Sequence, residues 1–210
     1  LSFNVSVGGA AKTDTITVDG WISGQIGSVT VTDTFAVSKW KWAVQTPPQL
    51  RITKVKSLLS EVSQGRTGIN VSMNVINEGM ASANVSLDTL SFWSINLARD
   101  VTNEYTIIPQ VANPQVIVGN RLVHQFNFLI NVSSAATLGQ VQINGRVNGT
   151  DANSGAPVFD NTADTTHIWL VKTAPIVGIK GFTPSQLQVT KNQIVPWRLK
   201  MIVQNNGATA

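Results

Sequence analysis

The chain has 210 residues, enough to bury a sizeable core, and its 42% hydrophobic and 12% charged residues exclude disorder driven by high charge. The formal net charge of +4 is spread along the sequence, so we expect a weakly basic surface and no nucleic-acid partner. Val, Ile, Thr, Ser, Asn and Gly dominate, which indicates an all-β fold with polar turns.

The sequence contains no cysteine, which favours a bacterial or archaeal source over a disulfide-stabilised eukaryotic secreted protein. No apolar run reaches the roughly 18 residues that a membrane helix needs. The opening stretch LSFNVSVGG already alternates as a strand does, and it predicts a mature or excised segment rather than a signal peptide.

Seven short strands are predicted between the motifs TPP (46–48) and TAP (173–175). In chain order they cover 50–55, 68–77, 83–95, 104–110, 121–132, 139–147 and 166–172. A turn at Asn77 to Gly79 separates the second strand from the third, and we expect the glycine to supply the positive φ that such a turn requires. Seven strands joined by Gly, Asn and Ser turns within about 127 residues are typical of an Ig-like antiparallel β-sandwich.

Three blocks of sequence recur in the same order. Residues 6–25 align with 131–150, residues 41–52 with 168–179, and residues 70–81 with 198–209, at offsets of 125, 127 and 128. Such a repeat predicts a tandem array. We expect the C-terminal part of one unit in 1–47, a complete unit in 48–174, and the N-terminal part of a third in 175–210. The prolines of TPP and TAP mark the junctions, because proline cannot donate to a strand ladder.

The stretches 48–85 and 175–210 carry a family resemblance. Each reads as a proline, an apolar strand, a polar loop and a long alternating strand that ends in Asn-x-Gly. This pattern resembles the opening of the cell-adhesion-related domain found in bacteria. The resemblance implies tandem Ig-like domains in an extracellular surface protein, and it carries no catalytic residues.

Catalytic motifs are absent from the sequence. A nucleophilic triad needs a base, and the only histidines, His124 and His167, sit within alternating strands where we expect structural roles. The acids are scattered, and VGGAA lacks the Lys-Ser/Thr of a phosphate loop. We therefore expect no enzyme activity in this chain.

Two acidic stretches offer the best candidates for a metal site. DANSG and DNTAD place carboxylate and amide oxygens in one predicted hairpin loop, and calcium prefers such ligands. Ordinary turn chemistry explains the same residues, and we favour it. The candidate calcium ligands are Asp151, Asn153, Asp160 and Asp164.

Tryptophans offer the candidates for carbohydrate stacking. Trp42 and Trp169 occupy one repeat position and are predicted to lie in the core. Trp21, Trp93 and Trp197 have no aromatic counterpart, so any of them could face solvent and stack on a sugar.

Five Asn-x-Ser/Thr sequons are candidate glycosylation sites. They lie at Asn4, Asn70, Asn84, Asn131 and Asn148.

Together these patterns predict a structural component of an extracellular prokaryotic surface assembly, such as a filament, stalk, sheath or adhesin segment. Stacked units provide length and stiffness through nearest-neighbour contacts. The expected partners are neighbouring copies of the chain, joined by strand complementation. Two alternatives stay open: a binding module for a glycan or surface receptor, and accessory repeats of a larger secreted enzyme.

Overall fold

The computed structural model describes residues 2–34 and 39–208. A few residues of the predicted segments 1–47 and 175–210 therefore lie outside the described residues. This part of the chain is all-β, with several antiparallel sheets and a single short 3-10 helix at Thr102–Glu104. The β-branched composition and polar turns account for this content.

Seventeen strands are formed within the described residues. In chain order they are β1 Thr15–Val18, β2 Ile22–Ile26, β3 Val29–Asp33, β4 Trp40–Ala43, β5 Leu50–Ser57, β6 Glu61–Ser63, β7 Ile69–Asn77, β8 Ala83–Ser94, β9 Arg99–Asp100, β10 Tyr105–Pro109, β11 Val116–Ile117, β12 His124–Val132, β13 Gly139–Asp151, β14 Pro157–Asp160, β15 His167–Lys172, β16 Val177–Pro184 and β17 Leu199–Asn205. All seven strands predicted between TPP and TAP are confirmed, and both motifs lie between strands.

One sheet has four strands in the order β10-β12-β7-β5, and every neighbouring pair is antiparallel. In the central strand β7, Met73 lies opposite Phe126 on one side and Val55 on the other, and all three are buried. The alternate residues of β7 face solvent or are half-buried. This period of two places one apolar face of the sheet toward the core.

The second sheet has the order β11-β8-β13-β15-β6, with β14 paired to β13 and β9 paired to β8. The 13-residue strand β13 is its centre. The three-residue strand β6 pairs in parallel with β15, whereas the other pairs in this sheet are antiparallel.

The buried faces of the two sheets share one hydrophobic core. Its aromatic centre stacks Phe92 on Tyr105, with ring centroids 4.0 Å apart, and on Trp169, at 5.8 Å. The sheets approach closely where Gly145 of β13 faces the sulfur of Met73 and the side chain of Ile52. A Cβ atom at Gly145 would clash with the Met73 sulfur and lie 3.2 Å from two side-chain carbons of Ile52, so a larger residue would have to displace the Met73 side chain and crowd Ile52.

The chain on either side of this core forms two-stranded ladders. β1 pairs with β4, β2 with β3, and β16 with β17, all antiparallel. Most of the apolar side chains of these strands are exposed, unlike those of the central sheets. The three ladders therefore present apolar faces to solvent.

Candidate functional site

The predicted calcium ligands fall into two groups at opposite ends of β14. Thr150 pairs with Pro157 and Val147 pairs with Asp160, so Asp160 lies about 13 Å along the ladder from Asp151, at roughly 3.3 Å per residue. Among the described residues no cluster of three or more His, Asp or Glu side chains is positioned to hold a metal ion.

Each of these acids already accepts hydrogen bonds from the protein. The Asp151 carboxylate accepts from the Asn153 N–H at 2.8 Å and from the Ser154 hydroxyl at 2.9 Å. The Asp160 carboxylate accepts from the Ile52 N–H at 2.7 Å and thereby holds the start of β5. The Asp151 bonds are local turn chemistry that competes with metal ligation, and the long-range bond from Ile52 occupies the Asp160 carboxylate in the same way.

Asp164 belongs to a charged cluster beside the β5–β7 edge. The Arg51 guanidinium binds the Asp164 carboxylate at 2.9 Å and the Glu78 carboxylate at 3.2 Å. Arg121 binds Glu78 from the other side at 2.7 Å, and this hydrogen bond is the largest influence lowering the pKa of Glu78. Arg51, Asp164 and Arg121 are exposed to solvent and Glu78 is half-buried, so screening by water keeps the contribution of the cluster to stability small.

The two histidines lie in strands, as the sequence predicts, and each is the first residue of its strand. His167 Nε2 lies 2.8 Å from the Leu59 carbonyl oxygen and ties β15 to the β5–β6 connection. His124 Nε2 is buried without a hydrogen-bond partner in the described residues. Neither histidine forms a hydrogen bond with a serine or threonine hydroxyl among the contacts of the described residues.

The prediction for the tryptophan pair is half right. Trp169 is fully buried, whereas Trp42 is 41% exposed. The correction has a simple cause: β4 pairs only with β1 within the described residues, so no second sheet covers Trp42. Trp21, Trp93 and Trp197 are all exposed.

Tyr105 lies beside Trp169 in the core. Its hydroxyl and the Trp169 indole N–H are both buried without a hydrogen-bond partner in the described part of the chain. Burial raises the pKa of Tyr105 to about 12, because the phenolate would lose its hydration.

The sequon asparagines lie mostly on strands. Asn70, Asn84, Asn131 and Asn148 belong to β7, β8, β12 and β13, and Asn4 lies before β1. Asn70 and Asn84 are exposed, whereas Asn131 and Asn148 are half-buried. The Asn131 side-chain oxygen accepts a hydrogen bond from the Gly68 N–H at 2.8 Å.

Asn70 also lies in a groove of about 740 Å³ on the outward face of the four-stranded sheet. Its polar lining comes from β5, β7, β12 and the segment after β10, and no carboxylate is among the lining residues. These polar groups are Lys54, Lys56, Ser57, Asn70, Ser72, Asn74, Gln110, Gln125 and Asn127.

The N-terminal ladders repeat the pairing of β13 with its neighbours. In β1 and β4, Ile16 lies opposite Trp42, and in β13 and β15, Val141 lies opposite Trp169. These residues correspond through the sequence offsets of 125 and 127. All four residue pairs of the β1–β4 ladder have their counterpart in the β13–β15 ladder.

The β2–β3 ladder follows the same rule. Ile22 lies opposite Asp33, as Val147 lies opposite Asp160, and Gly24 lies opposite Val31, as Gly149 lies opposite Val158. The four pairs of the β13–β14 ladder therefore recur in β2–β3.

The C-terminal ladder repeats β5–β7, including its irregularity. The register shifts between Ile52 and Lys54 in β5, and between Ile179 and Gly181 in β16, which are the same positions at the offset of 127. A bulge is a specific backbone feature that seldom recurs by accident at one register. Ile52 is fully buried and Ile179 is 61% exposed, so the two corresponding positions share their strand pairing but differ in burial.

The junction after TPP is held by one buried asparagine. The Asn77 side-chain oxygen accepts hydrogen bonds from the N–H groups of Gln49, at 2.9 Å, and Gly79, at 3.0 Å. The Thr46 hydroxyl accepts from the Met80 N–H at 3.0 Å. The linker is thereby fastened to the turn that ends β7.

The junction after TAP has the same hydrogen bonds. The Asn205 side-chain oxygen accepts from the N–H groups of Ile176, at 3.0 Å, and Gly207, at 2.9 Å. The Thr173 hydroxyl accepts from the Ala208 N–H at 3.1 Å. Five corresponding residues thus form one contact pattern at both ends of 48–174.

Glycine is required in both turns. A Cβ atom on Gly79 would lie 2.8 Å from the Pro48 Cα atom, and one on Gly207 would lie 2.7 Å from the Pro175 Cα atom. Each glycine therefore allows the linker to pass against the turn. The prediction that Gly79 supplies a positive φ is wrong: Gly79 is not among the left-handed glycines of the described residues, and the close approach of the linker is what requires glycine there. That approach depends on residues about 30 positions away in the sequence, so the local sequence pattern does not reveal it.

Comparisons with known proteins find no family model, no curated protein and no solved structure that matches the chain. Within the described residues, no helix is long and apolar enough to cross a membrane.

Proposed function

We propose that the chain is a structural segment of an extracellular prokaryotic surface assembly, built from tandem Ig-like units in 1–47, 48–174 and 175–210. The observation that carries this proposal is the recurrence of strand registers. The ladders before TPP repeat those of β13, and the ladder after TAP repeats β5–β7 with its bulge. Recurrence of this kind is characteristic of repeated structural units.

The strand order supports the Ig-like assignment. An Ig sandwich places its strands A, B, E and D in one sheet and C, F and G in the other. The order β5-β7-β12-β10 corresponds to A-B-E-D, and β8-β13-β15 corresponds to C-F-G. In these terms β1 to β4 contain parts of strands F and G, and β16 and β17 are strands A and B of the next unit.

The two junctions support a mechanical role. Each linker is fixed by side-chain hydrogen bonds to Asn and Thr and by the close passage at glycine, so it is not a free tether. Units that are fastened in this way transmit orientation from one to the next, and length and stiffness follow from their number.

The exposed ladders support neighbouring copies of the chain as the partner. Some residues of β16 and β17 correspond, through the repeat, to buried residues of β5 and β7. Among them Ile179 and Met201 are exposed, whereas their counterparts Ile52 and Met73 are fully buried. Strands of a neighbouring unit are the occupants that match this face, because the repeat shows which strands cover it in 48–174. Addition between copies would be head-to-tail and would produce an open filament.

An extracellular location fits the surface chemistry. The outward positions are rich in Ser, Thr and Asn with few charges, two sequon asparagines on the central strands are exposed, and cysteine is absent.

Sedimentation velocity and negative-stain imaging of the chain test the assembly. We expect concentration-dependent association into elongated species well above 22.5 kDa. Ile179→Asp places a charge on the exposed core-register face and should abolish this association. The matched control is Thr183→Asp, which adds the same charge on an exposed position of the same strand, in the register of the outward-facing Lys56.

A chain that stays monomeric at all concentrations would contradict association between copies. Equal association of the two variants would show that the apolar face of β16 takes no part in it.

A further inference from the structure

The outward face of the second sheet carries an exposed tryptophan that the core does not use. Trp93 lies near the end of β8 and is 45% exposed, while its neighbours Phe92 and Ser94 are buried. Alternation along the strand therefore points the indole away from the core. A tryptophan on the solvent side of a sheet exposes a large apolar surface without contributing to the sandwich interior.

Polar side chains flank this indole on both sides. Gln142 of β13 lies directly opposite Trp93 on one side, and Asp100 of β9 lies opposite it on the other. Cross-strand neighbours stand about 5 Å apart at Cβ, which is within reach of a shared ligand. A shallow depression of about 270 Å³ is lined by Trp93 and these two residues together with Ser91, Phe92, Asn144 and Arg146.

Asp100 is held in place as a hydrogen-bond acceptor. One of its carboxylate oxygens accepts from the Thr102 N–H at 2.7 Å, and this bond lowers the pKa of Asp100. The carboxylate is consequently ionised at neutral pH.

The chemistry of this depression matches a sugar ring. The apolar face of a pyranose packs on an indole, and its hydroxyl groups both donate and accept hydrogen bonds. Asn144 and Gln142 offer donors and acceptors, Arg146 offers donors, and Asp100 offers acceptors. One acid and one base cancel in charge, which favours a neutral sugar over a polyanion.

A second exposed tryptophan immediately precedes β2. Ile22 and Val147 occupy one register, so Trp21, which precedes Ile22, corresponds to Arg146 of the depression. Trp21 is 76% exposed. The position that Arg146 holds in the depression is thus occupied by an exposed tryptophan in the preceding segment.

We propose that the depression around Trp93 binds a neutral hexopyranose unit of a glycan, with the sugar ring stacked on the indole and its hydroxyl groups bound by Gln142, Asp100 and Arg146. This site is independent of the assembly proposed above, since it uses the outward face of a complete sheet. A structural segment that carries such a site would also attach to a polysaccharide along its length.

Saturation-transfer NMR with neutral oligosaccharides tests the site. The probes are tetrasaccharides of glucose, mannose, galactose and N-acetylglucosamine, with a tetragalacturonate as the anionic comparison. We expect transfer to at least one neutral probe and a loss of affinity of about tenfold or more in Trp93→Ala. Trp93→Tyr should retain much of the binding, because it keeps a ring on the sheet face.

The matched control is Trp40→Ala, which removes another exposed indole outside the depression and should leave binding unchanged. Unfolding curves of the complete unit should be similar for all variants. Binding of no neutral probe, binding of the galacturonate alone, or unchanged affinity in Trp93→Ala would each overturn the proposal. None of these results bears on association between copies, so the two proposals fail separately.

Discussion

Replacing Asn77 by alanine removes the side chain that locks the first junction. Asn77 is fully buried, and its side chain makes four hydrogen bonds: it accepts from Gln49 and Gly79 and donates to the carbonyl oxygens of Ala81 and Ile117, at 2.8 and 3.1 Å. Each buried group that loses its partner costs about 1–3 kcal/mol. The Gln49 side of the junction is close to water, so we expect a total loss of about 4 kcal/mol in the free energy of unfolding.

Urea unfolding monitored by far-ultraviolet circular dichroism measures this loss. With a slope of about 2 kcal/mol per molar urea, Asn77→Ala should lower the midpoint by about 2 M. Asn205→Ala is the matched control. Asn205 accepts the two corresponding hydrogen bonds on exposed strands, so its loss should change the midpoint of 48–174 by less than about 0.3 M. Equal midpoint shifts in the two variants would refute the assignment of Asn77 as a buried lock.

Three further predictions concern the core and the acidic turns. Trp169→Ala should cost about 3–5 kcal/mol in urea unfolding, and Trp42→Ala less than about 1 kcal/mol, since only the first is buried; similar losses would contradict the difference in packing. The single tyrosine, Tyr105, should ionise near pH 12 in an absorbance titration at low temperature, and a midpoint near 10 in the folded protein would contradict its burial. Because the folded state holds this proton more tightly than the unfolded state, the contribution of Tyr105 to stability is complete below about pH 10 and is lost as the pH rises toward 12. Millimolar calcium should leave the melting temperature unchanged, because Asp151 and Asp160 are held apart and hydrogen-bonded, and a rise of several degrees would show that they rearrange around the ion.

The longer strands of 48–174 could be predicted from sequence because their apolar residues alternate over seven or more positions. β7 is the clearest case, because its four alternate apolar residues are all buried, as the pattern requires. The short strands β6, β9, β11 and β14 were missed. Two to four residues carry no measurable period, and their pairing depends on neighbours that are distant in sequence.

The candidate site was less accessible to sequence reasoning. DANSG and DNTAD are near one another in the chain, but the intervening residues form β14 and separate the acids. Trp42 was expected to be buried because it occupies the repeat position of Trp169. A shared repeat position does not bury a side chain unless a second sheet also packs over it, and β1 and β4 have no such sheet in the described residues. The exposure of Trp93 could have been found from its position between Phe92 and Ser94 in an alternating strand.

At the junction after TPP, the sequence shows the motifs involved but not their contact. The repeated Asn-x-Gly and Thr-x-Pro motifs were visible in the sequence, and so was their common spacing. That they contact each other was not, since Thr46 and Met80 are 34 residues apart. A pairwise contact of this kind needs the fold before it can be recognised.

Hydrogen exchange on a lengthened chain tests the tandem-unit account most directly. Residues 83–174 are appended after residue 210, so that the segment 175–210 gains the strands that would complete a unit of the same order as 48–174. We predict that amides of β16 and β17 become strongly protected, to a degree comparable with β5 and β7, while they exchange rapidly in the 210-residue chain. Unchanged rapid exchange in β16 and β17 of the lengthened chain would contradict the account.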